Sequence, residues 1–145
     1  DDNIWINSNP FPRLRLGNLK AFRDWGFAGD YVHGMWLMMQ HDIPEDWVLA
    51  TGESHSVQDF LDIAFNYLNL DPEKYVESSD RYFRPNEVDY LLGDSSKASK
   101  KLNWTPETDF ESLVKMMVDS DLKLAKQEKT LINEGLLKPT WDNFS

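Results

Sequence analysis

A helix-rich α+β domain with short strands is the fold class this sequence predicts, and three observations predict it. Apolar residues recur at helical spacing in three separate stretches. The apolar runs between them are only two to four residues long, which suits short strands rather than a large sheet. No internal repeat, low-complexity segment or internal domain boundary interrupts the 145 residues, about one ordinary domain.

Residues 1–13 read as an irregular segment, because Pro10 and Pro12 bracket Phe11 and forbid a helix. Leu14-Arg15-Leu16 alternates like a short strand, which Gly17-Asn18 breaks. Ala28, Tyr31, Val32, Met35, Trp36 and Met39 then fall on one helical face, which predicts a helix packed into the core and ending before Pro44. Trp47-Val48-Leu49-Ala50 predicts a buried strand stopped by Thr51-Gly52. Ser56-x-x-Asp59 is a capping-box pattern opening a helix whose inner face is Val57, Phe60, Leu61, Ala64, Phe65 and Leu68. Tyr75-Val76 suits another short strand, and residues 81–89 a loop around Pro85. Asp94 is placed to cap a brief helix over Ser95 to Leu102. Thr108-x-x-Glu111 reads as a second capping box, opening the longest helix with Phe110, Leu113, Val114, Met117 and Leu124 inside. Leu131 to Leu137 reads as a separate turn or short helix, and residues 128–145 as a tail.

Composition bounds the function. Hydrophobic residues make up 41% and aromatics 13%, enough for a core despite a net charge of -10. That charge repels phosphate at long range, so nucleic acid is an unsuitable partner and a phosphate ligand needs a local basic pocket. No apolar run approaches membrane-spanning length, and the acidic start is no secretory signal, so no membrane partner is expected and the compartment is read as cytoplasmic. The absence of cysteine excludes disulfides and thiolate metal sites, and His33, His41 and His55 lack metal-ligand spacing. No glycine-rich phosphate loop, P-loop, G-x-S-x-G elbow or Tyr-x-x-x-Lys pair is present. Glu53 and His55 lie close together, yet nothing marks them as a catalytic dyad, so no catalytic residue is assigned.

Three segments carry more information. The first runs from Leu16-Gly17-Asn18 through Arg23-Asp24-Trp25 to Asp30-Tyr31-Val32. The second is Ala50-Thr51-Gly52-Glu53-Ser54-His55-Ser56-Val57. The third is Arg81-Tyr82-Phe83-Arg84-Pro85-Asn86-Glu87-Val88-Asp89, followed by Leu92-Gly93-Asp94 and Leu102-Asn103-Trp104-Thr105-Pro106. Together, over about Leu14 to Lys126, they resemble the GDP-mannose 4,6-dehydratases of the extended short-chain dehydrogenase/reductase superfamily. The Arg81-to-Asp89 block beside Leu-Gly-Asp is its most particular part.

The resemblance implies that this is the small C-terminal, substrate-binding part of such an enzyme, with residues 14–127 as the nucleotide-sugar domain and the Rossmann half absent. The complete enzyme converts GDP-mannose to GDP-4-keto-6-deoxymannose with loss of water, using NADP held by that other half. No cofactor is expected on this chain. The expected partners are GDP-mannose, the Rossmann half on the same or another chain, and further copies in a homo-oligomer. The resemblance also implies site residues. Arg84 would grip the diphosphate, since a guanidinium holds two oxygens at once, and Glu87 would accept hydrogen bonds from the ribose hydroxyls. Their plainer reading is a surface ion pair worth under about 1 kcal/mol. Arg23 either meets the diphosphate from the other side or pairs with Asp24 or Asp30. Gly17 and Asn18 either shape a turn beside the substrate or simply end the strand. Arg81 is a weaker candidate, and Trp25, Tyr82 and Phe83 either line the pocket or pack in the core. Two other readings stay open: a non-catalytic module that binds GDP-sugars or pairs with a subunit, and part of a related reductase or epimerase.

Overall fold

The structure is a computed structural model that describes residues 13–83, 86 and 88–138. The irregular segment expected at the start therefore lies outside the described residues, save Arg13, as does the end of the tail. Among the described residues are four short strands, β1 (Leu14–Leu16), β2 (Phe22–Arg23), β3 (His55–Ser56) and β4 (Val76–Ser78), and four helices. The helices are α1 (Ala28–Met39), α2 (Val57–Tyr67), α3 (Ser96–Leu102) and α4 (Phe110–Asn133).

The strands pair in two small ladders. β1 runs parallel to β4, with Leu14 opposite Val76 and Leu16 opposite Ser78. β2 runs antiparallel to β3, with Phe22 opposite Ser56 and Arg23 opposite His55. Phe22 also bridges Tyr90 in parallel. β3 leads straight into α2 through the expected capping box: the Asp59 N–H donates to Ser56 Oγ at 3.0 Å and the Ser56 N–H to Asp59 Oδ2 at 2.8 Å.

The core has two linked parts. In one, Leu61 of α2 packs with Phe110, Leu113 and Val114 of α4. The Trp25 ring joins them, 5.4 Å from Phe60 and 6.4 Å from Phe110. In the other, Ala98 of α3 and Trp104 are fully enclosed beside α1. A Cβ on Gly34 would meet Leu49 Cδ1 at 2.7 Å and Trp104 Nε1 at 3.0 Å, so only glycine lets α1 come this close. The Trp104 indole N–H donates to the Asp30 carbonyl at 2.9 Å, leaving that buried donor satisfied.

Several expectations are corrected. The α1 stripe predicted to face the core faces out: Val32, Met35, Trp36 and Met39 are 62%, 56%, 57% and 83% exposed. The inner face is instead Asp30, Tyr31, Gly34, Leu37 and Met38, because the close approach at Gly34 sets the rotation of the helix. Trp47 to Ala50 forms no strand, since no described segment hydrogen-bonds to its backbone to make a ladder. The long helix is capped by Asp109, whose Oδ1 accepts the Ser112 N–H at 2.8 Å, and not by Thr108. The Thr108 N–H is taken by Asp30 Oδ2 at 3.0 Å. α4 absorbs Leu131 to Asn133 rather than leaving them to a separate element. Met117 and Leu124 are exposed; Leu124 lies where α4 has run on past the end of α2, which it meets at the hydrogen bond that Tyr67 Oη donates to the Asp119 carboxylate at 3.1 Å.

Among the described residues eight hydrophobic side chains are buried and twenty-three large ones are exposed. A chain of this length that folds around one complete core hides most of its large apolar groups. The imbalance is concentrated on α1, on Ile43 and Val48, on residues 88–92 and on the second half of α4.

Candidate functional site

In the sequence, Arg84 and Glu87 lie between β4 and α3. Those two residues lie outside the described part of the structure, but the anchors on either side are clear. On the near side, Asp80–Tyr82 form a single 3₁₀ turn. Gly17 lies against that turn, so that a Cβ there would stand 2.4 Å from the Tyr82 carbonyl oxygen. The Ser78 hydroxyl donates to the Gly17 carbonyl at 3.3 Å. What Gly17 approaches closely in the structure is Tyr82, two residues before Arg84 in the sequence.

Asn18 holds the turn that follows. Its Oδ1 accepts the Lys20 N–H at 2.9 Å and its carbonyl the Ala21 N–H at 3.4 Å. The turn is tied to α2, because Leu19 and Ala21 carbonyls accept from Gln58 and Val57. Asn18 thus delivers the chain from Gly17 to buried Ala21 and on to β2.

On the far side stands Arg23. Its Nη1 donates to the carbonyls of Val88 and Phe22, each at 2.7 Å. The Phe22 N–H donates to the Asp89 carbonyl at 2.7 Å, and the Leu91 N–H to the Phe22 carbonyl at 3.2 Å. The Phe22 and Tyr90 rings lie 5.8 Å apart. Gly17 and Arg23 so fix the two ends of the 83–88 segment, at Tyr82 and at Val88. Of the residues singled out from the sequence, Gly17 and Arg23 touch the ends of that segment, while Asn18 shapes the turn between them.

The ion-pair partners offered for Arg23 are occupied elsewhere. The Asp30 carboxylate takes the N–H groups of Glu107 and Thr108. The Asp24 carboxylate accepts the Thr51 hydroxyl at 2.6 Å and the N–H groups of Thr51, Gly52 and Gly93 at 2.8, 3.1 and 3.2 Å. Burial pulls the Asp24 carboxyl upward, yet those four hydrogen bonds outweigh it and hold the group below the usual aspartate range. Asp24 was not singled out as a site residue, and the four donors it gathers sit on two loops far from it in sequence. The signal open to sequence reading was its place in Arg-Asp-Trp, upstream of Thr51-Gly52 and Leu92-Gly93-Asp94.

Beside this hub lies an open cleft of about 340 Å³ lined by Arg23, Asp24, Tyr31, Val48, Leu91 and Gly93. Burial raises the Tyr31 hydroxyl, and the Asp24 and Asp30 charges raise it further, so it stays protonated as a donor. A larger groove of about 450 Å³ is lined by Glu53, His55, Asp59, Asp62, Asp109 and Glu111. Five carboxylates make it hostile to a diphosphate, and the arginine-bearing cleft is the better candidate despite its smaller size. Glu53 Oε2 and His55 Nε2 stand 3.5 Å apart, and Nε2 is buried without a hydrogen-bond partner among the described residues. The His55 ring stacks on Phe110, with centroids 4.0 Å apart.

Trp25 is half-buried and lines a small pocket of about 180 Å³ with Thr51, His55, Glu107 and Phe110, on the side of the acidic groove rather than of the arginine-bearing cleft. It packs in the core and donates its indole N–H to the His55 carbonyl at 3.1 Å. Tyr82 and Phe83 are each about half exposed. No group of His, Cys, Asp and Glu able to hold a metal ion occurs among the described residues. Nor is any described helix long and apolar enough to cross a membrane.

Comparison with known proteins identifies the family. The family model for GDP-mannose 4,6 dehydratase matches residues 4–117. GDP-mannose 4,6 dehydratase 2 of Arabidopsis thaliana is 59% identical over 125 residues, covering 86% of this chain and 34% of that protein. The Homo sapiens GDP-mannose 4,6 dehydratase is 44% identical over 128 residues, covering 77% of this chain and 34% of that protein. Among solved structures, RMD from Pseudomonas aeruginosa, complexed with NADPH, superposes with a TM-score of 0.66 at 13% identity, over 81% of this chain and 38% of that one. That likeness concerns the fold alone. The chain spans about a third of the length of the curated relatives it matches. A family match over residues 4–117, with the bracketed Arg84 segment inside it, places this chain in the GDP-mannose 4,6-dehydratase family.

Proposed function

We propose that this chain is the nucleotide-sugar-binding part of a GDP-mannose 4,6-dehydratase, with residues 14–127 as the binding unit. In the complete enzyme it holds the GDP-mannose that is converted, with loss of water, to GDP-4-keto-6-deoxymannose. The observation that carries this reading is the pair of anchors at Tyr82 and Val88, which fix the ends of the segment bearing Arg84 and Glu87. Arg84 takes the diphosphate and Glu87 the ribose hydroxyls, both charge-assisted contacts. Arg23 is a positioning residue in this reading, because its described bonds go to backbone carbonyls at the loop's far end.

NADP and the catalytic side chains belong to the remaining two thirds of the polypeptide. This sequence offers no glycine-rich phosphate loop and no Tyr-x-x-x-Lys pair to hold or serve the cofactor. When bound, NADP supplies the hydride acceptor and donor. This chain contributes binding and orientation of the sugar nucleotide. The complete enzyme works as a homo-oligomer.

The test is a joined protein in which this chain replaces the matching third of the Arabidopsis relative. Arg84→Ala should weaken GDP-mannose binding by about 2–3 kcal/mol, as loss of a hydrogen-bonded charge does. By calorimetry that reads as roughly 30- to 150-fold in Kd. Unchanged affinity removes the diphosphate role from Arg84.

A further inference from the structure

Residues 88–93 run along β2, and a series of hydrogen bonds holds them there. The Arg23 guanidinium donates to the Val88 carbonyl at 2.7 Å, the Phe22 N–H to the Asp89 carbonyl at 2.7 Å, and the Leu91 N–H to the Phe22 carbonyl at 3.2 Å. The Ser54 hydroxyl donates to the Leu91 carbonyl at 3.0 Å, and the Gly93 N–H to Asp24 Oδ2 at 3.2 Å. Asp24 closes the far end of this series, and its two oxygens divide the work. Oδ1 takes the Thr51 N–H and hydroxyl, while Oδ2 takes the N–H groups of Gly52 and Gly93. Oδ2 therefore joins the Thr51-Gly52 loop to residue 93. Ser54, two residues past Gly52, grips Leu91 from that same loop. Asp24 thus reaches residues 88–93 by two routes, directly at Gly93 and through the loop that carries Ser54.

The charge suits this arrangement. A half-buried carboxylate is costly unless donors satisfy it, and here four do. An ionised carboxylate accepts on both oxygens. The amide of the same shape keeps one acceptor oxygen and turns an NH2 group toward the other pair of donors. It must release either Thr51 or the Gly52 and Gly93 pair. Glu87 directly precedes Val88 in the sequence, and Arg84 stands four residues before it. A segment whose end is fixed before a ligand arrives loses less conformational freedom on binding, so affinity depends on what fixes that end.

We propose that Asp24 is a positioning residue for nucleotide-sugar binding: by holding Gly93 and the Ser54 loop it sets residues 88–93 along β2, and with them the far end of the segment that carries Arg84 and Glu87. This rests on the reading of Arg84 as the side chain that takes the diphosphate.

Calorimetry on the joined protein described above tests this, at a temperature well below every variant's unfolding midpoint. Asp24→Asn should raise the Kd for GDP-mannose about tenfold. In turnover it should raise KM and leave kcat unaltered, as loss of uniform binding does. Asp30→Asn is the control, because the Asp30 carboxylate holds the N–H groups of Glu107 and Thr108 and not residues 88–93. The Asp30 variant should lower the unfolding midpoint without moving Kd. Asp24→Asn added to Arg84→Ala should weaken binding little beyond Arg84→Ala alone, since the one acts through the other. Ser54→Ala leaves the carboxylate intact and should raise Kd about threefold. An unchanged Kd in Asp24→Asn overturns the proposal, as does an unchanged Kd in Ser54→Ala where Asp24→Asn does not fold. Equal losses in the Asp24 and Asp30 variants overturn it too, because affinity then merely follows stability. Additive losses with Arg84→Ala do the same, because Asp24 then acts elsewhere. If Arg84→Ala alone binds as wild type does, the diphosphate reading fails and this inference fails with it. Every other failure leaves that reading standing.

Discussion

Asp24 gathers the Thr51 hydroxyl and three backbone N–H groups from two loops, at Thr51-Gly52 and at Gly93. Hydrogen bonds to an ionised group are worth about 1.5–3 kcal/mol each in favourable cases, and they are not additive. Asp24→Asn keeps the shape and removes the charge, and it turns part of the acceptor pair into a donor facing donors. Urea unfolding near neutral pH should show a loss of about 2–3 kcal/mol. The pH dependence has a definite sign. The folded carboxyl is held below its ordinary value, so its stabilisation is complete above an unfolded value of about 3.9. It is lost as pH falls through the lower folded value. The difference between wild type and Asp24→Asn should therefore shrink below pH ~4. A difference that stays constant across that range would mean the charge is not what matters.

Gly17 is the second residue whose role can be isolated. A methyl group there would meet a backbone oxygen, which cannot swing aside as a side chain can. Gly17→Ala should displace the Asp80–Tyr82 turn and cost about 1–3 kcal/mol, typical of overpacking. In the joined protein it should also weaken GDP-mannose binding, since the turn leads into Arg84. Calorimetry on Gly17→Ala beside a surface control such as Ser112→Ala is unsuited, because Ser112 closes a cap. Lys100→Ala, on an exposed position, serves instead. The sequence showed that Gly17 broke a strand, but not what lay against it, because Tyr82 is distant in the chain.

Helix ends were legible where the side chain and its N–H lie within three residues. Ser56 and Asp59 close their box as their spacing predicts. The other cap was misassigned by one residue. Thr108 and Asp109 both suit the position, and the choice was made by Asp30, which takes the Thr108 N–H and leaves Asp109 to cap α4. The difference is measurable. Asp109→Ala should cost about 0.5–2 kcal/mol in thermal or urea unfolding, as loss of an N-cap does. Thr108→Ala should stay within about 0.5 kcal/mol, because only its backbone is used. Equal losses at both positions would return the cap to Thr108. Strands were legible as short apolar runs, and β1 and β4 sit within a residue of where the runs lie. The run from Trp47 to Ala50 has strand chemistry without a ladder. A ladder depends on a second segment, and no property of the run itself could tell that none is described here.

The same gap between local pattern and partner governs the whole molecule. Family membership was carried by blocks of sequence near Arg23, Thr51 and Arg84, and the residues holding those blocks together are the ones the geometry brings side by side. Asp24, the hub between them, was not singled out as a site residue, because its partners come from two loops distant from it in the chain. The exposed α1 stripe follows from the same cause: periodicity reports an apolar face and is silent about what covers it. The division of labour that results can be tested on the chain as it stands. Incubated with GDP-mannose and NADP, it should yield no 4-keto sugar, whereas the joined protein should. Product is read by mass spectrometry, as a sugar nucleotide lighter by one water. Binding by the chain alone should also be much weaker than by the joined protein, if the joined protein adds further contacts to the ligand. Turnover by the 145 residues alone would place the catalytic groups within them, and the acidic groove holding His55 and Glu53 would then be the first place to look.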